Sequence, residues 1–198
     1  MNIEKYLDLD KTITKPYLLK YGYPEILNHI QEIIIELGNN LGNDYKKISD
    51  NVWIHQSVKL IDNVNIAGPC IIGENTELRP GVYIRGSVII GNNSVIGNST
   101  ELKNAILFDG VKVPHFNYIG DSVLGYKVHF GAGSITSNVK SDETLVSLVI
   151  NDEKVLTNRK KIGALVGDMT EIGCNAVLTP GTIIGKNTTI YPLVMVRG

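Results

Sequence analysis

Three side chains that can take part in chemistry are spaced at multiples of six residues near the middle of the chain. Lys103 follows Arg85 by 18 residues, and His115 follows Lys103 by 12. An arginine and a lysine brought together, with no acid adjacent to them in sequence, suit a phosphate dianion. Arg79 lies six residues before Arg85 and is an alternative source of the arginine. An imidazole titrates near neutral pH and can take a proton from an amine, so His115 adds a proton acceptor.

A six-residue repeat must position these side chains. Large apolar residues recur at every sixth position from Ile54 to Phe108, and a series of mostly small or β-branched residues precedes each of them by two, from Val52 to Ile106. This period fits neither one amphipathic helix nor one long strand. A short strand and a turn, repeated around a shared interior, fit it, and the pattern predicts an all-β solenoid, a parallel β-helix. Three hexads form one coil, so residues 18 apart stack at the strand spacing of about 4.8 Å.

The inward series then becomes irregular. After Phe108 it continues in steps of five and six, at Val113, Ile119, Leu124 and Phe130. A corner shortened by one residue re-aims the side chains around it, and such irregularities gather near functional sites. We therefore expect the chemistry between residues 113 and 138.

The repeat is interrupted once and then resumes. Two apolar stretches, 145–150 and 154–156, flank Asn151-Asp152-Glu153, which predicts a hairpin or loop protruding over residues 139–161. From Val166 to Val196 the six-residue period is again regular. The second run therefore belongs to the same solenoid.

Residues 1–47 do not share the repeat and form a predicted N-terminal helical segment, so the β-helix domain occupies residues 48–198. A short helix is expected over residues 8–20. A second helix is expected over residues 24–37, with Pro24 at its first position, one apolar stripe, and Gly38 as its stop. Its apolar face either caps the first coil of the solenoid or packs on a neighbouring subunit.

Composition narrows the class of protein. A formal net charge of -1 over 198 residues predicts no nucleic-acid partner. Cys70 and Cys174 give no disulfide framework, and Cys70 fits a small inward position of the repeat. The N-terminus lacks a basic start and an apolar signal region, and no apolar run is long enough to span a bilayer. We therefore expect a cytoplasmic protein that does not bind membranes.

Hexads of this type resemble those of the left-handed β-helix acyltransferases, and the left hand is implied by that resemblance alone. The resemblance narrows to the acetyltransferase half of the bifunctional bacterial enzyme that acetylates glucosamine-1-phosphate and then uridylates it. It rests on three blocks at matching separations, residues 100–105, 114–121 and 131–138. We expect no counterpart of the uridyltransferase half in residues 1–198, because no glycine-rich nucleotide loop lies near residue 1.

The resemblance implies a role for each matching residue on the acceptor side. A histidine placed like His115, three residues before a tyrosine, is the general base that deprotonates the acceptor amine. Arg85 and Lys103 match the ligands of the sugar phosphate. Tyr118 orients the sugar or the phosphate, and Asn138 matches an asparagine near both substrates.

On the donor side the resemblance implies acetyl-CoA bound in a cleft between subunits of a homotrimer. Ala132 and Gly133 lack bulky side chains, so the thioester can approach the backbone, where an amide can hold the developing oxyanion. Asp168 stands in place of a CoA-contacting serine. Because no C-terminal arginine clamp follows, we expect the loop residues Arg159, Lys160 and Lys161 to contact the CoA phosphates, or else to form a solvated basic turn.

The acceptor itself is left open. His129 stands where the family has an asparagine that contacts sugar, so the acceptor is an amino-sugar phosphate or a sugar nucleotide. One alternative is a metal site like that of the γ-class carbonic anhydrases, built from His55, His115 and His129, although their spacing does not match that class. Another is a non-enzymatic trimer that binds sugar phosphates or sugar nucleotides. The leading hypothesis is an N-acetyltransferase without a metal.

Overall fold

The chain is a parallel β-solenoid with its helices confined to the N-terminal segment, as a computed structural model that describes residues 1–151 and 153–197 shows. The α-helices are α1 (Lys15–Tyr21) and α2 (Ile30–Gly38), and 3₁₀ turns lie at Ile3–Lys5, Leu9–Lys11 and Glu25–Asn28. The strands are β1 (Tyr45–Ser49), β2 (Val52–His55), β3 (Asn65–Ile66), β4 (Cys70–Ile72), β5 (Glu77–Leu78), β6 (Tyr83–Ile84), β7 (Val88–Ile90), β8 (Val95–Asn98), β9 (Glu101–Leu107), β10 (Lys112–His115), β11 (Tyr118–Leu124), β12 (His129–Phe130), β13 (Ile135–Thr136), β14 (Val146–Ile150), β15 (Glu153–Arg159), β16 (Ala164–Val166), β17 (Glu171–Ile172), β18 (Val177–Leu178), β19 (Thr182–Ile184), β20 (Thr189–Ile190) and β21 (Met195–Val196).

The coils stack into three faces, which confirms the predicted all-β solenoid. The first face runs through β2, β4, β7, the ends of β9 and β11, β16 and β19. The second face is the separate sheet β5-β8-β10-β12-β17-β20. The third face runs through β3, β6, the starts of β9 and β11, β13, β18 and β21. Cys70 is fully buried inside the stack, as its inward position predicts.

The positions that face the interior shift by one residue earlier in the chain than the sequence predicts. Ala105 and Leu107 face the interior, whereas Ile106 and Phe108, predicted to face inward, pack outside it against the N-terminal segment. The cause is a corner at Asn104 that is one residue short, which pairs Val88 with Ala105 instead of with Ile106. A second short corner follows at Asp121, where Ala105 pairs with Ser122. The predicted inward positions after the Asn104 corner, Val113, Ile119, Leu124 and Phe130, are correct.

The N-terminal segment contains both expected helical regions, but each is broken. Over residues 8–20 a 3₁₀ turn precedes α1, and over residues 24–37 the 3₁₀ turn Glu25–Asn28 precedes α2, which ends at Gly38. His29 separates the last two pieces, because its N–H bonds to the carbonyl of Ile26 in the tighter 3₁₀ pattern. No helix among residues 1–151 and 153–197 is long and apolar enough to cross a membrane.

The helical segment lies along the first face of the solenoid, which neither predicted arrangement describes. Outward apolar side chains of successive coils, such as Ile71, Ile89 and Val123, form a second core with Ile30 and Ile34. The open edge of the first coil is instead paired by β1, which runs antiparallel to β2. The helices are therefore positioned by an apolar stripe on the outside of the repeat.

We expect Gly38→Ala to loosen the docking of α2. A Cβ atom at Gly38 would lie 2.4 Å from the indole carbon Cδ2 of Trp53, whose side chain is 5% exposed. The overpacking should cost about 1–3 kcal/mol in urea unfolding and shift the emission of this single tryptophan to the red. Gly42→Ala is the matched control, because a Cβ atom there meets nothing within 4 Å. Equal effects of the two substitutions would contradict the packing.

The interruption of the repeat is a hairpin, as predicted, formed by β14 and β15 with Leu148 opposite Val155. Asp152, in its predicted turn, lies outside the described residues. The base of the hairpin does not simply protrude, because Val146 and Leu148 are buried in the second core. Alternate apolar residues of β14 thus extend the cover that the helices provide on the first face.

Candidate active site

His115 ends β10 at the corner between the second and third faces, with its side chain at the surface. Its backbone is held on both sides: its N–H donates to Asn117 Oδ1 (3.1 Å), and its carbonyl accepts from the N–H of Gly133 (3.0 Å). Within residues 1–151 and 153–197 its ring makes no hydrogen bond. The fixed backbone and unoccupied imidazole suit a group that meets a substrate.

Asn117 locks this corner to the turn of the next coil. Its side chain is 2% exposed, and its Nδ2 donates to the carbonyls of Gly131 (2.9 Å) and Ser134 (3.0 Å). The sequence assigned Asn117 no role, although it lies in the block from residue 114 to 121 that carries the resemblance. Its two-sided bonding makes it a positioning residue for both His115 and the glycine-rich turn.

The glycines of that turn are required by packing. Gly133 has φ 73°, and a Cβ atom on it would lie 2.1 Å from Asn175 Oδ1, while one on Gly131 would lie 2.7 Å from the backbone N of Cys174. The Gly131 N–H donates to Ile172 (2.6 Å), and the Gly133 N–H is used by His115. In the part of the chain that the structure describes, the Ala132 N–H donates to no group. Of the three amides, this one is available to a ligand.

Arg85 and Lys103 stack on adjacent coils as predicted, because the residues before them, Ile84 and Leu102, are in register. Each of these two cations lies close to an acidic side chain, however. Arg85 Nη1 lies 2.6 Å from Glu101 Oε1, and Lys103 Nζ lies 3.6 Å from Asp121 Oδ2. The acids, absent beside the cations along the chain, are supplied by neighbouring coils. The sequence interpretation did not include these two acids.

Asp121 gathers three of the predicted residues around one buried carboxylate. Its side chain is 4% exposed and accepts from Nδ2 of Asn138 and from Nδ2 of Asn104 (2.8 Å), with Lys103 beside it. Asn138 Nδ2 also lies 3.2 Å from the Tyr118 hydroxyl. Burial, and then the charge of Asp121, raise the pKa of Tyr118, so its phenol stays protonated. We name Lys103, Asn104, Tyr118, Asp121 and Asn138 the Asp121 cluster.

The N-terminal segment contacts the Asp121 cluster and is itself bonded to the hairpin. Asn104 Nδ2 also donates to the carbonyl of Leu27 (3.2 Å), and Arg159 Nη1 donates to the carbonyl of Pro24 (3.2 Å). Tyr23 is buried within electrostatic reach of Arg159 and Asp121, and burial raises the pKa of its phenol. Arg159, expected to bind CoA phosphate, is thus half-buried and joins the hairpin to the helical segment, whereas Lys160 and Lys161 are exposed.

Asp168, expected to contact CoA, holds the N-terminal segment. Its carboxylate is buried and accepts from the backbone N–H groups of Asp8 (2.6 Å) and Tyr126 (2.8 Å). Lys186 Nζ lies 3.0 Å from the same carboxylate. Both oxygens of the Asp168 carboxylate are therefore already bonded within the chain, so we leave Asp168 out of the site proposed below.

The remaining predicted residues lie apart from the Asp121 cluster. His129 is on the second face, with Nδ1 2.7 Å from Glu171 Oε2, and Arg79 is paired with Glu77 at 2.7 Å. His55 lies on the first coil, where its Nδ1 bonds to Ser57 Oγ (2.8 Å). Among residues 1–151 and 153–197, no three His, Cys, Asp or Glu side chains are grouped to hold a metal ion. The three histidines of the metal alternative are not brought together within one subunit.

The two thiols should differ sharply in reactivity. Cys174 is exposed, whereas Cys70 is buried in the solenoid, and burial raises the pKa of the Cys70 thiol. We expect Ellman's reagent to modify one thiol per folded chain and two after unfolding in guanidinium. Two reactive thiols in the folded protein would contradict the interior position of Cys70. Cys174 must also be counted in any assay of thiol release.

Comparisons with known proteins place the chain in a family. It matches the model described as GMPPB C-terminal domain over residues 66–164, half of its length, and the model described as bacterial transferase hexapeptide (six repeats) over residues 45–86. A solved hexapeptide transferase family protein from Anaplasma phagocytophilum is 17% identical, with 74% of this chain and 75% of that chain covered and a TM-score of 0.43.

Two curated relatives carry similar names. A bifunctional sugar-1-phosphate nucleotidylyltransferase/acetyltransferase of Sulfurisphaera tokodaii is 36% identical over 72% of this chain and 40% of that protein. A bifunctional protein GlmU of Methanococcus vannielii is 35% identical over 81% of this chain and 38% of that protein. This chain therefore spans about two fifths of their length. The matches confirm the resemblance to hexapeptide-repeat transferases and fit a left-handed β-helix, and the chain belongs to the GMPPB C-terminal domain family, with bacterial transferase hexapeptide repeats.

Proposed function

We propose that this protein is an N-acetyltransferase that moves the acetyl group of acetyl-CoA to the amine of an amino-sugar phosphate or a sugar nucleotide. The names of the curated relatives, a sugar-1-phosphate nucleotidylyltransferase/acetyltransferase among them, support the class of reaction. The observation that carries the proposal is the corner at His115. There Asn117 joins the backbone of His115 to the turn that carries Ala132, and within residues 1–151 and 153–197 neither the His115 imidazole nor the Ala132 N–H has a hydrogen-bond partner.

The two groups have complementary roles in acyl transfer. His115 takes the proton that the amine loses as its nitrogen attacks the thioester carbonyl. The Ala132 N–H donates to the carbonyl oxygen as negative charge develops there. The C–N bond forms, the C–S bond breaks, and CoA leaves with its sulfur protonated. The structure favours Ala132 over Gly133 for the oxyanion, because the Gly133 N–H is already bonded.

The third face supplies the acceptor site in this proposal. Lys103, Tyr118 and Asn138 are oriented by Asp121, and Arg85 lies beside them with its partner Glu101. Because each cation is paired with an acid, the site suits the hydroxyls of a sugar better than a bare phosphate dianion. Lys160 and Lys161 remain the candidates for CoA phosphate, and the site is completed by a homotrimer in which the hairpin of one subunit meets the His115 corner of its neighbour.

The direct test is incubation of the protein with acetyl-CoA and glucosamine-1-phosphate. With this acceptor or with an amino-sugar nucleotide, we expect release of free thiol above the single Cys174 equivalent and the acetylated acceptor in the mass spectrum. If no thiol is released with this acceptor, amino-sugar nucleotides are tested next. Sugar-phosphate binding without thiol release from any acceptor would overturn the enzyme and support the non-enzymatic binding trimer.

A further inference from the structure

The second face carries a cationic groove that the proposed chemistry does not use. Its volume is about 570 Å³, and its lining includes Lys112, Lys127, His129 and Glu171. We infer that this groove binds the diphosphate of a nucleoside-diphosphate amino sugar, so that the acceptor is a sugar nucleotide. The assignment of the acceptor rests on the proposed function, whereas binding of a diphosphate does not.

The charge in this groove is less compensated than the charge on the third face. Lys112 and Lys127 have no carboxylate within 4.0 Å among residues 1–151 and 153–197, in contrast to Arg85 and Lys103. The carboxylate of Glu171, which lines the same groove, is bonded to His129. An anion in the groove therefore meets two ammonium groups for which carboxylates of the described residues compete little. A lysine ammonium binds phosphate oxygens as a point charge.

Lys127 is held along the groove. It lies at a corner with φ 53°, and its Nζ is 5.1 Å from the centre of the Tyr126 ring. Its side chain lies over Gly110, where a Cβ atom would come within 2.9 Å of Lys127 Cγ. The glycine makes room for the lysine stem, and the aromatic ring limits its motion, so less conformational entropy is lost when an anion binds.

The groove lies on the same face of the solenoid as β10, the strand that ends at the proposed catalytic corner. Lys112 and His115 both belong to β10, and Lys112 is paired in register with His129 on the next coil. The backbones of Lys112 and His115 are three positions apart along the strand, a rise of about 10 Å. In an amino-sugar 1-phosphate the amine and phosphate lie on neighbouring ring carbons, which is too close to span this distance. A diphosphate extends further from the amine, and its nucleoside then occupies the rest of the groove.

The experiment is calorimetric titration of the full chain with inorganic pyrophosphate. Wild type should bind pyrophosphate more tightly than inorganic phosphate, and higher salt should weaken binding. Lys112→Gln/Lys127→Gln should weaken it by about 10- to 100-fold. The matched control is Lys46→Gln/Lys154→Gln, which removes two exposed lysines of β1 and β15 and should leave binding unchanged.

The outcomes separate the groove from the reaction. Absence of pyrophosphate binding, or equal binding by both double variants, would overturn the groove even if acetyl transfer is observed. Displacement of pyrophosphate by CoA would assign the groove to the donor and overturn the acceptor inference. If the protein acetylates uridine-diphosphate glucosamine, a rise in KM for this acceptor confined to the Lys112/Lys127 variant would support it.

Discussion

Replacing His115 with alanine is expected to lower kcat for acetyl transfer by about 100- to 10,000-fold, the usual contribution of a positioned general base. KM for either substrate should change little, because the imidazole acts on the amine proton as the transition state forms. The fold should be retained: the side chain is exposed, and the corner is held through backbone atoms of His115 by Asn117 and Gly133. Thiol release at saturating substrates, corrected for Cys174, measures the effect.

His55→Ala is the matched control for this substitution. His55 lies on the first coil and bonds to Ser57, so its loss should leave kcat unchanged. The same pair of variants addresses the metal alternative, which needs both histidines. A comparable loss of activity in the two variants, together with stoichiometric zinc in the purified protein, would favour that alternative. Near wild-type kcat in His115→Ala would contradict the general-base role.

The interior of the solenoid was predictable because a repeat of fixed period repeats its contacts. Positions such as Ile84 and Ile96 are fully buried where the six-residue period places them. The phase error at Ile106 and Phe108 arose because residues 105–108 are all apolar, so either alternation satisfies the pattern. A single residue missing at the Asn104 corner decided between them.

Continuous apolar runs in three strands also indicated where the N-terminal segment packs. Cys70–Ile72, Val88–Ile90 and Ala164–Val166 are each continuously apolar, and all three lie on the first face. Strands that are buried on both sides have this composition, whereas strands with one side in water alternate. The runs therefore indicated which face the helices and hairpin cover, although the period alone did not.

The sequence indicated which side chains of the candidate site lie close together, but it did not indicate the acid that bonds to them. Lys103, Tyr118 and Asn138 are brought together, but the acid that joins them, Asp121, was not singled out. Hydrogen bonds such as that between His129 and Glu171 join residues 42 apart in sequence, and the hairpin lies between them. Partners across coils follow from register, and register depends on the lengths of individual corners, which the repeat does not specify.

Asp121→Ala should have the largest combined effect on stability and acceptor binding. It leaves two amide groups, of Asn104 and Asn138, and the ammonium of Lys103 without their shared acceptor in a buried setting. We expect a loss of about 2–4 kcal/mol in urea unfolding. KM for the acceptor should rise while KM for acetyl-CoA stays constant, because Lys103, Tyr118 and Asn138 lose their orientation and the Ala132 turn does not.

The two readouts distinguish a positioning residue from a structural one. Asp121→Asn keeps the size of the side chain but replaces one acceptor oxygen with a donor that faces the amides of Asn104 and Asn138, so it should recover part of the stability and little of the acceptor KM. Asp142→Ala is the control. Among residues 1–151 and 153–197 the side chain of this exposed acid bonds only to Thr144, within its own turn, so its loss should leave both quantities unchanged. If Asp121→Ala lowers stability but leaves acceptor KM at the wild-type value, the carboxylate supports the corner alone, and the proposed acceptor site must lie elsewhere on the third face.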